Sequence, residues 1–159
     1  MKYDIILSGV GGQGVLSVSA IIALAAMKSG YKVKQSEVHG MAQRGGAVLA
    51  NLRIADAPID SDLVPRGTAA MILSMEPLES LRYVTYLSPE GTLVSSKDRF
   101  ENIPNYPDEE KVYEKIRSLP SYRLVDGLSL AREAGSTRAT NMVMVGAASP
   151  SLPLEVSAL

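Results

Sequence analysis

Two glycine-rich segments carry most of the residues that can do chemistry in this chain. The first glycine segment, residues 9–14, reads Gly-Val-Gly-Gly-Gln-Gly, with Gly9, Gly11 and Gly14 in G-x-G-x-x-G spacing. The second glycine segment, residues 36–46, reads Ser-Glu-Val-His-Gly-Met-Ala-Gln-Arg-Gly-Gly and contains the only histidine of the sequence. The first pattern is typical of phosphate binding, and the second places acid–base and anion-binding side chains close together.

The first glycine segment lies between an apolar, strand-like run at residues 3–7 and a long helix-like run. Glycine permits positive φ in a tight turn and lets a ligand approach the backbone closely. The N-terminus of the following helix offers unpaired N–H groups and a partial positive charge, which suit a pyrophosphate. We therefore expect cofactor binding by Gly9, Gly11, Gly12, Gln13 and Gly14. The alternative is a tight turn that serves only strand–helix packing, with Gln13 capping the helix.

A simple NAD site is disfavoured by the residues that follow. Such sites use an acidic residue about 20 positions after the glycines to bind a ribose diol. The sequence has Lys34 in this region, and Glu37 lies beyond the polar end of the predicted second strand. The glycine pattern therefore predicts an anionic ligand without naming it.

Three side chains of the second glycine segment, Glu37, His39 and Arg44, are the candidate catalytic residues. Histidine exchanges protons near neutral pH, and the arginine fork binds carboxylate or phosphate bidentately. We expect the segment to be a partly exposed loop at a sheet edge, because polar groups on such loops usually meet a ligand or a partner. The alternatives are a histidine that only orders the loop and an ion pair between Glu37 and Arg44.

The composition excludes several classes of function. The 159 residues are 46% hydrophobic and carry a net charge of −1, so no basic excess exists for nucleic acid binding. The chain has no cysteine, which excludes thiolate ligands to an iron–sulfur cluster, disulfides and a thiolate nucleophile. With one histidine there is no credible zinc site either, and we predict no metal ligands.

The N-terminal residues also bear on location. They lack an apolar signal-peptide core followed by a cleavage site. The longest apolar stretch, Val15–Met27, is too short to span a bilayer. We therefore expect a cytoplasmic protein that has no membrane partner.

The apolar runs predict a three-layer, doubly wound α/β fold that is Rossmann-like and mostly parallel. The expected strands are residues 3–8, 31–35, 47–54, 69–74, 92–95 and 122–126. The expected helices are 13–28, 78–87, 109–119, a helix ending near Gly135, and 140–148, with a turn at 89–91 and a loop at 102–108. The strand at 47–54 follows a loop too short for a full crossover helix, so antiparallel pairing is expected there. We expect a single domain over residues 1–159.

The last eight residues, 152–159, begin like an amphipathic helix with Pro153 in its first turn and then stop without a cap. This pattern predicts a C-terminus that has been cut short. Leu154 and Val156 would then face an incomplete surface.

With both glycine segments in view, nearly the whole chain resembles the gamma-type subunits of the 2-oxoacid:ferredoxin oxidoreductase family. The resembling parts are the two glycine segments and a stretch with Arg138, then Asn141 through Gly146. Family members that act on pyruvate usually show a Tyr-Gly-Pro-Glu variant before Arg-Gly-Gly. The sequence from Glu37 to Gly46 looks instead like that of the branch that acts on aryl 2-oxoacids such as indolepyruvate. The chain departs from the family in being shorter at its C-terminal end.

The resemblance implies a non-autonomous subunit of an oxidoreductase. Such enzymes decarboxylate a 2-oxoacid on thiamine diphosphate, pass electrons through iron–sulfur clusters to ferredoxin, and release an acyl-CoA. The resemblance further implies CoA as a co-substrate bound by this chain. Thiamine diphosphate and the clusters would belong to a larger alpha subunit in a hetero-oligomer. The absence of cysteine agrees with that division.

Two other functions stay open from the residues alone. A free-standing Rossmann-type nucleotide-binding oxidoreductase would need an acid–base pair and a ribose-binding acid, for which only Glu37 and His39 are available. A regulatory nucleotide-binding module would leave residues 39–46 without a role.

Overall fold

The computed structural model describes residues 1–38 and 45–159 in full and the backbone of His39. In this part of the chain the strands are β1 Lys2–Val10, β2 Lys32–His39, β3 Ala47–Ala55, β4 Ala69–Ser74, β5 Leu87–Ser96 and β6 Tyr122–Val125. The α-helices are α1 Val15–Lys28, α2 Pro77–Arg82, α3 Glu109–Arg117, α4 Gly127–Glu133 and α5 Thr140–Ala148. Short 3₁₀ turns lie at Val84–Tyr86, Thr137–Ala139, Ser149–Ser151 and Val156–Ala158.

The strands form one sheet in the order β2-β3-β1-β4-β5-β6. Strands β1, β4, β5 and β6 are parallel to their neighbours in this series, whereas β3 is antiparallel to both β1 and β2. The expected mostly parallel sheet with one antiparallel strand is therefore confirmed. Because parallel β1 and β4 are adjacent while their following helices take opposite faces, the switch point of the sheet lies between them.

Apolar residues alternate along β1 between two separate cores. Ile5 and Leu7 pack in one core with Ile22 of α1. Ile6 points to the other face and packs in a core that includes Ile116 of α3. The sheet is therefore the middle of three layers, as expected.

The second strand is longer than predicted. Strand β2 continues to His39, and its residues from Ser36 onward pair with β3 from Asn51 to Val48. Residues 36–39 are thus edge strand rather than loop, because the ladder with β3 supplies hydrogen bonds beyond the predicted end. The prediction of a loop over residues 36–46 is therefore wrong for residues 36–39.

Three other boundaries differ from the sequence prediction. Helix α1 starts at Val15 instead of residue 13, because its N-cap Gly14 has a left-handed φ of 80°. Helix α2 ends at Arg82. The predicted turn at 89–91 lies inside β5, where a Cβ on Gly91 would come within 2.6 Å of the Ala69 carbonyl oxygen. Glycine at this position permits a close approach of two strands whose register shifts between Ala69 and Met71.

The last residues pack differently from the expectation. Leu152 and Leu154 are only 8% and 9% exposed and belong to the core that includes α1. Val156 is 67% exposed. The expectation of an incomplete surface is therefore wrong for Leu154, because the turn before it places its side chain on the core. In the part of the chain described, every helix is too short or too polar to cross a membrane.

Candidate functional site

A cleft of about 470 Å³ opens at the carboxyl ends of the parallel strands. It is bounded by the first glycine segment, by residues that follow β4 and β5, and by the N-terminal regions of α4 and α5. The lining residues are Gly12, Gln13, Gly14, Met75, Asp98, Arg99, Phe100, Leu128, Thr137, Arg138, Thr140 and Asn141. Ligands of open α/β sheets bind in this place, next to the switch point.

The N-terminus of α1 forms one wall of the cleft. Its N-cap is Gly14, and among the described residues no side chain caps it and no acidic residue occupies its first turn. The helix therefore keeps unpaired N–H groups and a partial positive charge at the cleft. Asn141 of α5 lies across from it, with Nδ2 3.2 Å from the position of a Cβ on Gly14. Both the positive φ and this contact require glycine.

Gly9 and Gln13 of the first glycine segment have packing roles. A Cβ on Gly9 would come within 2.8 Å of Val15 Cγ2 and 3.1 Å of the Met75 Cβ. The Gln13 side chain accepts a hydrogen bond from the Val10 N–H (2.8 Å) and donates one to the Met75 carbonyl (3.3 Å). The Gln13 amide thus joins the ends of β1 and β4 while lining the cleft.

Gly11 joins the two glycine segments. Its N–H donates to the Gly46 carbonyl at 2.8 Å, and its own carbonyl accepts from the Gly45 N–H at 3.4 Å. The N–H of Gly11 is therefore already paired. Gly12 is different, because it lines the cleft with a φ of 101° and no heavy atom of the described residues lies within 4 Å of its Cβ position. Within this segment, Gly12 and Gly14 are the residues that present backbone to the cleft.

The candidate catalytic residues lie on the neighbouring part of the chain. Glu37 is exposed on the edge strand β2, where its Oε1 accepts a hydrogen bond from Gln35 Nε2 at 2.9 Å. His39 ends β2 opposite Val48, and its side chain lies outside the described part. Arg44 also lies outside the described residues. The catalytic roles of Glu37, His39 and Arg44 therefore stay predictions.

A buried carboxylate that the sequence analysis missed organises the loop beside the cleft. Glu76 is 1% exposed and caps α2 by accepting a hydrogen bond from the Glu79 N–H at 2.8 Å. Its Oε1 also accepts from the Phe100 N–H (3.3 Å) and from the Tyr106 hydroxyl. Burial, followed by this bond to Glu76, raises the pKa of Tyr106 well above its usual range. The available signal was the Glu76-Pro77 pair, because Pro is common at the first helical position and an acidic N-cap often precedes it.

The same loop reaches the second glycine segment through Asn102. Its Nδ2 donates to the Gly45 carbonyl at 3.1 Å, while its buried Oδ1 has no partner among the described residues. Nearby Glu79 is fully buried and accepts from Arg82 Nε at 2.9 Å through one oxygen. Burial raises the pKa of Glu79, and the bond to Arg82 opposes that change.

The charges at the cleft suit an anion. Asp98 is the acidic residue of the lining, and its carboxylate accepts hydrogen bonds from the Leu128 N–H (2.8 Å) and from Ser96 Oγ (2.6 Å). Arg99 stacks over the Tyr106 ring at 5.5 Å and pairs with Glu101 at 2.5 Å. Arg138 is exposed at the opposite rim. Neither arginine was among the predicted site residues, because the fold brings them to the cleft from distant parts of the chain.

A metal centre is not formed by the described residues. Within 1–38 and 45–159 no three His, Cys, Asp or Glu side chains are grouped so that they could hold a metal ion. The chemistry that the geometry supports is the binding of a phosphorylated ligand by helix N-termini, hydroxyls and arginines.

Sequence comparison connects this geometry to known enzymes. The family model of pyruvate ferredoxin/flavodoxin oxidoreductase matches residues 4–159. Indolepyruvate oxidoreductase subunit IorB of Pyrococcus horikoshii is 37% identical over 163 residues, an alignment that covers 96% of this chain and 80% of that relative. These matches favour the subunit interpretation over a free-standing nucleotide-binding oxidoreductase.

Solved structures share the fold. Pyruvate oxidoreductase subunit PORC of Thermotoga maritima superposes with a TM-score of 0.69 at 24% identity and covers 96% of this chain and 79% of its own. The 2-oxoglutarate:ferredoxin oxidoreductase of Magnetococcus marinus, solved with 2-oxoglutarate, coenzyme A and succinyl-CoA, gives a TM-score of 0.71 at 19% identity. That match covers 99% of this chain and 25% of the larger one.

Proposed function

The chain belongs to the pyruvate ferredoxin/flavodoxin oxidoreductase family, and we propose that it binds coenzyme A in the cleft and completes the active site of a larger partner subunit. It is a subunit of a 2-oxoacid:ferredoxin oxidoreductase. The observation that carries the proposal is the uncapped N-terminus of α1 at the wall of a cleft that also has two arginines.

The 2-oxoacid is an aryl pyruvate such as indolepyruvate. This substrate class is supported by the name of the relative from Pyrococcus horikoshii and by the sequence of the second glycine segment. Glu37, His39 and Arg44 act where this segment meets the active site of the partner.

The cleft residues fit the phosphates of coenzyme A. A pyrophosphate matches the N–H groups of a helix N-terminus, and Gly12 and Gly14 let it approach the backbone. Coenzyme A, when bound, supplies the thiol that accepts the acyl group. The residues of this chain bind and orient its phosphorylated part.

Thiamine diphosphate and the iron–sulfur clusters belong to the larger alpha subunit. The sequence has no cysteine that could ligate a cluster, and ferredoxin therefore receives electrons from the partner. The hetero-oligomer is the active unit, and this chain is expected to act within the cytoplasm.

The test compares two substitutions of Gly12, by Asn and by Asp, whose side chains have nearly the same shape and differ in charge. Asn and Asp tolerate positive φ better than other side chains, and Gly12→Asn and Gly12→Asp should carry similar backbone strain at a φ of 101°, so that their comparison isolates the charge. In the assembled enzyme, Gly12→Asp should raise the KM for coenzyme A at least about tenfold over Gly12→Asn, because it puts a carboxylate beside the phosphates. The KM for the 2-oxoacid should change little.

Gly30 provides the matched control. Its φ is 86° and, in the part of the chain described, no heavy atom lies within 4 Å of its Cβ position, but it follows the end of α1 far from the cleft. Gly30→Asp and Gly30→Asn should therefore leave the KM for coenzyme A equal. If Gly12→Asp and Gly12→Asn also have equal KM values for coenzyme A, the cleft does not bind its phosphates and the proposal is wrong.

A further inference from the structure

A second, shallower depression lies beside the cleft and shares two residues with it. It is lined by Arg132, Gly135, Ser136, Thr137 and Arg138. Arg138 and Thr137 also line the cleft. The cleft and the depression are thus adjacent and meet at the 3₁₀ turn Thr137–Ala139.

The end of α4 brings the two arginines to one place. Gly135 has a φ of 95°, and its N–H donates to the Arg132 carbonyl at 2.9 Å. The next N–H, of Ser136, donates to the Ala131 carbonyl at 2.9 Å. This glycine turn reverses the chain after α4, so that Arg138 returns toward Arg132. The Ser136 hydroxyl accepts from the Arg138 N–H at 3.3 Å and fixes the start of the 3₁₀ turn.

The guanidinium groups of Arg132 and Arg138 form no ion pair with any described residue. Both side chains are exposed, and neither has a carboxylate within 4 Å among the described residues. Four other arginines are paired with a carboxylate, namely Arg53, Arg82, Arg99 and Arg117. Two like charges that line one depression repel each other, and an anion between them removes that repulsion.

We propose that this depression is a separate phosphate subsite, which binds the 3′-phosphate of coenzyme A while the cleft holds the pyrophosphate. This inference rests on the proposed function. A guanidinium fork binds a phosphate dianion bidentately, and the hydroxyls of Ser136 and Thr137 can donate to the remaining oxygens. The subsite explains why Arg138 lines both the cleft and the depression.

The experiment compares coenzyme A with 3′-dephospho-coenzyme A in the assembled enzyme. Wild type should have a KM for coenzyme A at least about tenfold below that for the dephospho compound, as expected when two charged hydrogen-bond donors lose their acceptor. Arg132→Gln should raise the KM for coenzyme A toward the dephospho value. It should change the KM for the dephospho compound less than about twofold. Arg138→Gln should raise the KM for coenzyme A at least as much, because this residue also lines the cleft.

Arg117→Gln is the matched control, since this exposed arginine ends α3 beyond the other face of the sheet. It should leave both KM values at their wild-type levels. Equal effects of Arg132→Gln on the two compounds, or no effect on either, would overturn the subsite. The Gly12 pair separates this failure from that of the cleft: if Gly12→Asp still raises both KM values, the cleft binds the pyrophosphate and only the 3′-phosphate subsite is wrong.

Discussion

The N–H of Gly11 donates a 2.8 Å hydrogen bond to the carbonyl of Gly46, and this contact fastens the two glycine segments together. The first glycine segment, whose pattern is typical of phosphate binding, thus uses one of its own N–H groups to hold the second glycine segment. The first and second glycine segments therefore lie side by side at the carboxyl end of β1. A ligand bound at Gly12 and Gly14 would lie close to the place where the second segment begins its return into β3.

Alanine at Gly9 and alanine at Gly12 of the first glycine segment should destabilise the protein for different physical reasons. Gly9→Ala should lower the free energy of unfolding by about 1–3 kcal/mol, because the new methyl group would overpack against Val15 and Met75. Gly12→Ala should cost about 1–2 kcal/mol, because positive φ disfavours a residue with a Cβ. Denaturant unfolding of the purified protein measures both values.

Gly146 supplies the control for that comparison. It lies within α5, and no heavy atom of residues 1–38 and 45–159 outside the local helix backbone lies within 4 Å of its Cβ position, so Gly146→Ala should stabilise the protein by about 0.5–1 kcal/mol. A Gly9→Ala variant as stable as wild type would contradict the packing role of Gly9.

The fold was predictable from local patterns to a large extent. The apolar run at Ala69–Ser74 and the helix at Thr140–Ala148 match the structure at both ends. The short connection after β2 correctly indicated the antiparallel strand β3. The errors occur where tertiary pairing overrides local signals: β2 extends because β3 pairs with it, and residues 89–91 stay in β5 although their composition is typical of a turn.

The cleft was predictable only at the first glycine segment. Its other walls come from the ends of β4 and β5 and from the start of α5, which are far apart in sequence. Glu76 gave only the helix-start signal of the Glu76-Pro77 pair, since its importance lies in three hydrogen bonds made after folding. Arg138 was part of the family resemblance, but its position beside the cleft depends on the turn at Gly135.

Stability should depend on pH through Glu79. Burial raises the pKa of this carboxyl above its ordinary value of 4.5, so the folded protein binds the proton more tightly than the unfolded chain. The stabilisation is fully present below about pH 4.5 and is lost as the pH rises through the raised value. Glu79→Gln stays neutral, so its stability relative to wild type should increase as the pH is raised from 4 to about 8.

Denaturant midpoints across that range measure the effect. Glu110→Gln is the control, because Glu110 is exposed and forms a surface pair with Arg117. A difference between Glu79→Gln and wild type that is constant with pH, or that shrinks as the pH rises, would show that Glu79 stays ionised in the fold.

The chain purified without its partner should be colourless and inactive. It has no cysteine for a cluster, and electron transfer depends on cofactors that we assign to the larger subunit. Visible absorbance and 2-oxoacid-dependent reduction of a redox dye measure this, with the reconstituted complex as the positive control. Dye reduction by the chain alone would contradict the assignment.

The side chains of Glu37, His39 and Arg44 should contribute to activity without contributing to stability. Glu37 is exposed on the edge strand β2, so its removal leaves no buried group without a partner. Glu37→Ala, His39→Ala and Arg44→Ala, made separately, should each lower the activity of the assembled enzyme by about tenfold or more, as expected for acid–base and anion-binding groups. The melting temperature should stay near that of wild type. Lys32→Ala, an exposed change on the same strand, should leave activity intact. Variants that melt earlier but keep full activity in the complex would identify the segment as a packing element.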